Sequence, residues 1–268
     1  MNFFTLFFLK FILLKSRSFI WESKRQRLKV IGKIISIDID LLIGIDRQKN
    51  TIINNTINFA KGNFTNNALL CGARGNGKST LIKSVFNQIS KDYKSLRLIQ
   101  LNKNNIDDIE LIYSIIRKFS DFRFIIFIDD LSFEKIDSDY KMIKSTLDGS
   151  IQNQPNNIML YITSNRRHLM PRDMIDNERS SAIHTDESVE EKISLSDRFG
   201  LWIGFHNISQ EVYLNIIKAY CIHYKIDYSN EDLKDSIKWS IQRGNRTGRS
   251  AWQYIIGLAS KKNLKINF

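Results

Sequence analysis

The stretch that decides the fold reads Gly72-Ala73-Arg74-Gly75-Asn76-Gly77-Lys78-Ser79. It matches the pattern G-x-x-x-x-G-K-[ST], whose glycines let backbone N–H groups wrap around phosphate oxygens. An apolar run at 68–71 precedes it, and a helical pattern from about 79 to 90 follows it. A chance glycine-rich turn would lack this strand and helix on either side, so we predict a nucleotide phosphate site. Lys78 is expected to reach the β- and γ-phosphates, and the Ser79 hydroxyl to ligate Mg²⁺. The predicted nucleotide contacts are Gly72, Ala73, Arg74, Gly75, Asn76, Gly77, Lys78, Ser79 and Thr80.

Two aspartates, Asp129 and Asp130, follow a continuous apolar run at 124–128. Such a run is typical of a strand buried on both faces, and its end is where this kind of fold places a metal-binding carboxylate. We predict that Asp129 binds Mg²⁺, directly or through water, and that Asp130 polarises the attacking water. A helix N-cap is the alternative for an Asp-Asp pair. The position about 50 residues after the phosphate loop favours the metal site.

Three later residues complete the candidate site. Asn165 follows the apolar run 158–162 and is predicted to hold the lytic water. Arg198 lies between apolar neighbours and is predicted to act as an arginine finger, with a salt bridge to a carboxylate as the alternative. Arg249, or as second choice Arg246, is predicted to fold over the nucleotide. A solvated basic turn or a nucleic-acid contact is the alternative there.

The order of apolar patterns predicts an α/β fold. Predicted helices alternate with predicted strands, which implies a parallel sheet covered by helices on both faces. The predicted strands are 68–71, 96–101, 124–128 and 158–162, and the predicted helices between and around them are 45–59, 79–90, 107–119 and 140–147. Residues 171–197 are polar and are expected to be an extended surface segment. From 209 onward only helices are predicted, at 211–224, 231–242 and 250–261, with Asn230 as the N-cap of the second.

Charge divides the chain of 268 residues into three parts, although 40 Lys and Arg against 28 Asp and Glu give +12 overall. We predict a basic N-terminal segment at 1–37 with net charge +7, an α/β nucleotide-binding core at 38–205 with net charge zero, and a helical lid at 206–268 with net charge +5. Basic ends are compatible with an anionic partner such as nucleic acid. A coding bias towards Asn, Lys and Ile is the alternative explanation.

The apolar N-terminal run at 3–14 is interrupted by Lys10 and is shorter than the roughly 20 residues of a membrane span. We predict a helix that packs on the body or on a partner, with a membrane-surface anchor as the alternative. No integral membrane span is expected. Cys71 and Cys221 cannot form a disulfide framework, and a reducing, cytoplasmic setting is predicted.

Taken in order, these motifs resemble those of the AAA+ ATPases. The phosphate loop, the acidic strand end, Asn165, Arg198 and Arg249 match Walker A, Walker B, sensor 1, arginine finger and sensor 2. More narrowly, the chain resembles the bacterial domain-of-unknown-function family 815 from about residue 21 to 259. The stretches that carry this resemblance are 42–49, the phosphate loop, 129–134, 163–169, 194–201 and 248–251.

The resemblance implies a P-loop NTPase (AAA+) parallel sheet sandwiched by helices and followed by a small C-terminal helical lid. It also implies ATP and Mg²⁺ as cofactors, and ATP hydrolysis in a homo-oligomer that remodels or loads an unknown protein or nucleic-acid partner. Many AAA+ enzymes carry Asp-Glu where this chain has Asp129-Asp130. That departure favours slow or partner-stimulated hydrolysis, or a nucleotide-state switch, with Glu134 as a second candidate base.

Overall fold

A computed structural model describes residues 3–131, 154–165 and 198–266. In these residues a seven-stranded sheet has the order β2-β1-β4-β5-β6-β3-β7. The strands are β1 (Ser18–Glu22), β2 (Arg27–Val30), β3 (Ala68–Gly72), β4 (Leu96–Leu101), β5 (Arg123–Ile128), β6 (Ile158–Ser164) and β7 (Leu201–Phe205). Every neighbouring pair is parallel except the β1–β2 hairpin. The four predicted strands are confirmed as β3, β4, β5 and β6.

The described residues contain seven α-helices. They are α1 (Phe3–Lys15), α2 (Asp46–Ala60), α3 (Lys78–Asp92), α4 (Ile109–Ile116), α5 (Gln210–His223), α6 (Asn230–Gln242) and α7 (Gly248–Lys261), and three short 3-10 segments lie at Ser23–Arg25, Ile39–Leu41 and Lys103–Asp108. The predicted helix at 140–147 and the predicted extended segment at 171–197 lie outside the described residues.

Two helix starts differ from the prediction. The helix predicted from 107 begins instead with a 3-10 segment, where Asn105 has non-helical angles (φ −123°, ψ 28°), so that α4 starts at Ile109. The predicted N-cap Asn230 is wrong, because Ser229 caps α6. The Ser229 hydroxyl accepts a hydrogen bond from the backbone N–H of Asp232, and the Asp232 carboxylate accepts one from the backbone of Ser229.

The central strands are apolar along their whole length because helices cover both faces of the sheet. In β5, Phe124, Ile126 and Ile128 face one core together with α1 and α4. Ile125 and Phe127 face the opposite core together with α2 and α3. A third core joins α5, α6 and α7 and includes Leu41 from the 3-10 segment before α2. This last contact fixes the C-terminal helices beside the nucleotide-binding end of the sheet.

Residues 18–30 belong to the same sheet as the core. Strand β1 pairs in parallel with β4, with Phe19 beside Ile99, and β2 completes the edge. The charge boundary predicted at residue 37 therefore does not coincide with an edge of the sheet, and the three-part division of the chain stays a prediction. Helix α1 packs on the body through Leu9, Ile12 and their neighbours, as predicted. No described helix is both long enough and apolar enough to cross a membrane.

Candidate functional site

The phosphate loop leaves the carboxyl end of β3, which lies between β6 and β7. Gly72 has φ +126°, and a Cβ there would lie 2.2 Å from the backbone oxygen of Phe205. The next residue, Ala73, donates its backbone N–H to the same oxygen at 3.1 Å. Glycine is therefore required at position 72, because only glycine allows β7 to approach this closely at such a φ.

Lys78 lies beneath the loop at the first position of α3. Its Nζ donates hydrogen bonds to the backbone oxygens of Gly72 at 3.0 Å and Ala73 at 2.8 Å. Burial lowers the pKa of the ammonium group to about 8, although Cys71 and the two aspartates act in the opposite direction. The protein thus holds a cation inside the loop at a cost in hydration, which a bound anion would offset.

Three side chains meet at the edge of the loop. The Ser79 hydroxyl donates to Asp129 Oδ1 at 2.5 Å, and the Thr163 hydroxyl donates to the same oxygen at 2.7 Å. Asp129 directly follows β5 and Thr163 lies near the end of β6, so the parallel pairing of these strands brings them together. In the described residues no group of three or more His, Cys, Asp or Glu side chains could hold a metal ion. The Asp129 carboxylate and the Ser79 hydroxyl nevertheless fit Mg²⁺, because this ion usually takes few protein ligands and completes its coordination shell with phosphate and water.

Asp130 is held from several directions. Its φ is +55°, a left-handed conformation that aspartate tolerates better than most residues. Its backbone N–H donates to the Thr163 hydroxyl at 2.9 Å. Asn165 Nδ2 donates to Asp130 Oδ1, while Lys103 Nζ lies 3.7 Å from Oδ2 and donates to the Asp130 backbone oxygen at 3.1 Å. The structure therefore brings the predicted Asp130 and Asn165 into direct contact.

Helix α7 contacts the phosphate loop at its first turn. The backbone N–H of Arg249 donates to the Gly75 oxygen at 3.2 Å, and a Cβ on Gly75 would lie 3.4 Å from the Cβ of Arg249. Arg246 instead donates to Gln210 at an exposed position. Of the two arginines considered for this place, Arg249 is the one that lines the cavity beside the loop.

A cavity of about 470 Å³ lies over the loop, between the sheet and the C-terminal helices. Its floor is polar and carries residues 74–80, Asp129, Asp130 and Asn165, while its walls are apolar and aromatic and include Leu41, Ile216, Tyr220 and Trp252. The rings of Tyr220 and Trp252 meet edge to face at 5.4 Å. The polar floor and the apolar walls of the cavity match a nucleotide, whose phosphates are anionic and whose base is flat and largely apolar.

One buried acceptor oxygen in the loop lacks a hydrogen-bond partner among the described residues. Asn76 Nδ2 donates to the His206 backbone oxygen at 2.7 Å, which fixes the amide, yet Asn76 Oδ1 has no hydrogen-bond partner among the described residues. Glycines on both sides, Gly75 and Gly77, have positive φ. The glycines thus give the loop the backbone conformation that phosphate binding needs, whereas Asn76 Oδ1, an acceptor, is left to take a hydrogen bond from a donor such as water.

Arg198 does not lie at the site of its own chain. It is half-buried and precedes β7, whose first residue pairs with the first residue of β3, Ala68. The phosphate loop follows the last residue of β3, so Arg198 lies at the opposite, amino-terminal end of these two strands. It is not among the residues that line the cavity. The structure therefore brings together Lys78, Ser79, Asp129, Asp130, Asn165 and Arg249, and it leaves Arg198 apart. Glu134 lies outside the described residues.

Sequence reasoning missed several residues of the site. Thr163 links the two aspartates, Lys103 faces Asp130 from the end of β4, and Tyr220 and Trp252 form the aromatic wall. Thr163 follows an apolar strand directly, which was a usable signal. Nothing local marks Lys103, Tyr220 or Trp252, because each reaches the site only through strand order or helix packing.

A family model described as a protein of unknown function (DUF815) matches residues 14–262. The chain belongs to the family DUF815. This match confirms the resemblance inferred from the motifs. No curated protein matches the chain in sequence.

Solved structures place this DUF815 chain among AAA+ folds. RuvB, the Holliday junction branch migration motor of Thermotoga maritima, matches with a TM-score of 0.53 and 19% identity over 86% of this chain and 68% of that chain. A RuvB variant of the same organism is covered over 64% of its length, slightly under two thirds. Domain III of the Thermotoga maritima replication initiation protein DnaA matches with a TM-score of 0.54 and 13% identity, over 86% of this chain and 91% of that chain. C. elegans PCH-2 matches with a TM-score of 0.53 and 13% identity, over 96% of this chain and 88% of that chain. The predicted AAA+ P-loop fold is confirmed.

Proposed function

We propose that this DUF815 protein is a magnesium-dependent ATPase that remodels or loads a macromolecular partner as a homo-oligomer in the cytoplasm. The observation that carries the proposal is the position of Lys78 beneath the loop, in one cavity with the Ser79–Asp129 pair and Arg249. The preference for ATP rests on the family resemblance. The partner, a protein or a nucleic acid, is not identified by any residue of the site.

Each residue of the floor has a role in this proposal. Lys78 and the backbone N–H groups of the loop bind the phosphates, and the start of α3 adds its positive dipole. Ser79 and Asp129 would hold Mg²⁺, which neutralises charge on the phosphates and on the leaving group. Thr163 keeps the Asp129 carboxylate in place through its hydroxyl. Arg249 lies where it would sense the nucleotide and pass its state to the C-terminal helices.

Water activation is assigned to Asp130 and Asn165. A carboxylate and an amide in contact can orient one water by accepting from it and donating to it. In this conformation the Asp130 carboxylate is bonded to Asn165 and lies near Lys103. For hydrolysis, water must replace part of these contacts.

The engaged Asp130 also supports a second candidate function, a nucleotide-state switch that binds ATP and hydrolyses it slowly. Aspartate is one methylene shorter than glutamate, and its carboxylate is already bonded to Asn165 while its backbone oxygen accepts from Lys103. In a switch the output would be assembly rather than turnover. A mass that is unchanged by ATP would contradict this second function.

Arg198 is proposed to act on a neighbouring subunit. It lies at the amino-terminal end of β7, whereas the loop of its own chain lies at the carboxyl end of the neighbouring strand β3. An arginine supplied across an interface stabilises charge in phosphoryl transfer and makes hydrolysis depend on assembly. Specific activity should then rise with protein concentration.

The test is steady-state ATP hydrolysis against protein concentration, with Mg²⁺ or with a chelator, alone and with DNA. Lys78→Ala should abolish turnover, because the phosphates lose their buried cation. Lys91→Ala is the matched control, since it removes an exposed cation from the last turn of the same helix. Turnover by the wild type no higher than that of Lys78→Ala would refute the ATPase.

A further inference from the structure

Helix α1 has two opposite apolar sides, and only one is used by the fold. Leu9 and Leu13 lie on the side that packs on the core. Phe7, Phe8, Phe11 and Leu14 recur at helical spacing on the other side and have exposures of 69%, 63%, 45% and 65%. We call these four residues the phenylalanine stripe. In contact with water, these four side chains do not stabilise the fold, and a polar helix face would be equally compatible with the packing of α1 on the core.

The stripe is held firmly by the body. Arg97 is almost completely buried and donates from Nε to the Leu13 backbone oxygen at 2.7 Å, in the last turn of α1. The same guanidinium donates to the backbone oxygens of Lys94 and Leu96 and stacks 4.4 Å from the ring centroid of Phe122. A buried arginine thus ties the helix to the sheet, and the stripe is displayed in a fixed orientation.

The exposed area is large for one helix. With roughly 150–250 Å² per aromatic side chain, the stripe presents on the order of 400 Å² of apolar surface. Patches of this size on a single chain usually mark an interaction site. The helix has 13 residues, which is too few to span a bilayer but enough to lie along its surface.

Two cations of the same helix lie close to the stripe. Lys15 Nζ lies 4.3 Å from the ring centroid of Phe11, and Lys10, one turn earlier, is about half-exposed and lies 3.5 Å from the exposed carboxylate of Asp121. Residues 3–33, which form α1 and the β1–β2 hairpin, carry eight basic side chains and one acidic side chain, Glu22. An apolar ridge with this charge is complementary to an anionic lipid surface.

We propose that the phenylalanine stripe docks on a bilayer surface that contains anionic lipid. The stripe enters the boundary between headgroups and acyl chains, Lys10 and Lys15 contact the headgroups, and the net positive charge of the hairpin adds attraction at longer range. This inference is independent of ATP hydrolysis and would place the nucleotide site on a membrane-bound body.

A second copy of the chain fits the stripe less well. A stable dimer buries about 800 Å² on each partner, roughly twice the area of the stripe. Two copies that met through α1 would also bring Lys10 and Lys15 of both chains together, and like charges would oppose the contact. A protein groove would need to match a convex ridge of bulky rings, whereas a fluid bilayer adapts to it.

The first experiment uses the unaltered full chain and vesicle flotation. Vesicles of phosphatidylcholine with about 30% phosphatidylglycerol are compared with vesicles of phosphatidylcholine alone, at salt from about 0.1 to about 1 M. We expect the protein to float with the anionic vesicles and to bind less at high salt. Protein that stays unbound to anionic vesicles at low salt would overturn the proposal.

The second experiment uses variants. Phe7→Ser with Phe8→Ser should weaken binding by roughly tenfold for each ring removed from the bilayer. Phe64→Ser is the matched control, because Phe64 is 87% exposed and lies outside α1, in the loop between α2 and β3. Lys10→Gln with Lys15→Gln should weaken binding about fivefold per charge. Thermal unfolding and nucleotide binding of each variant report whether the fold is kept.

Two results would overturn the proposal even if the wild type floats. Equal binding by the double serine variant and the Phe64→Ser control would show that the stripe is not the contact. A drop in the mass of the protein in solution, caused by the double serine variant without vesicles, would assign the stripe to a second copy of the chain. Flotation that is lost only in the stripe and lysine variants supports the lipid surface.

Discussion

Mixing two inactive variants tests whether the nucleotide site is shared between subunits. Arg198→Ala keeps the phosphate loop and loses the arginine, whereas Lys78→Ala loses the loop lysine and keeps the arginine. The five residues of β7 separate Arg198 from the loop of its own chain by roughly 15 Å, at about 3.3 Å per residue. An arginine side chain is shorter than this distance, so Arg198 must serve the loop of a neighbour if it serves one at all.

The expected magnitude follows from the geometry of a head-to-tail ring. Each interface then combines the loop of one subunit with Arg198 of the next. In an equal mixture, about one quarter of the interfaces pair an intact loop with an intact arginine. Arg198→Ala alone should be at least roughly 1,000-fold slower than the wild type, because loss of an arginine finger has that effect. Lys78→Ala alone should show no turnover, because the phosphates lose their buried cation. The mixture should therefore recover about a quarter of the wild-type rate.

The assay is steady-state phosphate release, with mass measured in parallel to verify mixed assembly. In the control mixture, Arg198→Ala is combined with a chain that carries both Lys78→Ala and Arg198→Ala. This double variant cannot supply an arginine to its neighbour. If mixed assemblies form and the rate stays at the level of the separate variants, the shared site is wrong. Full activity of Arg198→Ala alone would make the arginine structural and favour the switch.

Three further predictions concern single residues. Gly72→Ala should lower the free energy of unfolding by about 3 kcal/mol or more in chemical denaturation, because the new Cβ would lie 2.2 Å from the Phe205 oxygen at φ +126°. Nucleotide affinity should fall roughly tenfold between pH 7.5 and about 9 in fluorescence titration, because Lys78, whose pKa is about 8, loses the charge that binds phosphate above that pH. Ser229→Ala should lower the free energy of unfolding by about 1 kcal/mol, because α6 loses its N-cap.

Each of these has a matched control. Gly257→Ala adds a methyl group inside α7 with no atom within 4 Å, so it should leave the stability unchanged or raise it by up to about 1 kcal/mol. Lys91→Gln should leave the pH dependence of binding unchanged, and Ser229→Thr, which keeps the hydroxyl, should keep the cap. A Gly72→Ala protein as stable as the wild type, an affinity that is flat across pH 8, or a Ser229→Ala protein as stable as Ser229→Thr would each contradict the corresponding argument.

The sequence by itself determined the phosphate loop and the strands that frame it. Glycines at 72, 75 and 77 have positive φ in the structure, and the apolar runs at β3, β5 and β6 are buried on both faces. Both features are local, since a backbone conformation that only glycine favours and a run of apolar side chains are visible in any window of a few residues. The candidate magnesium ligands Ser79 and Asp129 followed from the same reasoning.

Only the tertiary structure decided which residues meet. The order of strands places the end of β6 between β3 and β5, so Thr163 reaches both aspartates, and it brings Lys103 from β4 to Asp130. The parallel register of β3 and β7 puts Arg198 at the end of these strands that is opposite to the phosphate loop. Helix packing adds Trp252 to the cavity and leaves the phenylalanine stripe outside. Such contacts join residues tens of positions apart, and their energy depends on the pairing of whole elements, so no short stretch of sequence carries them.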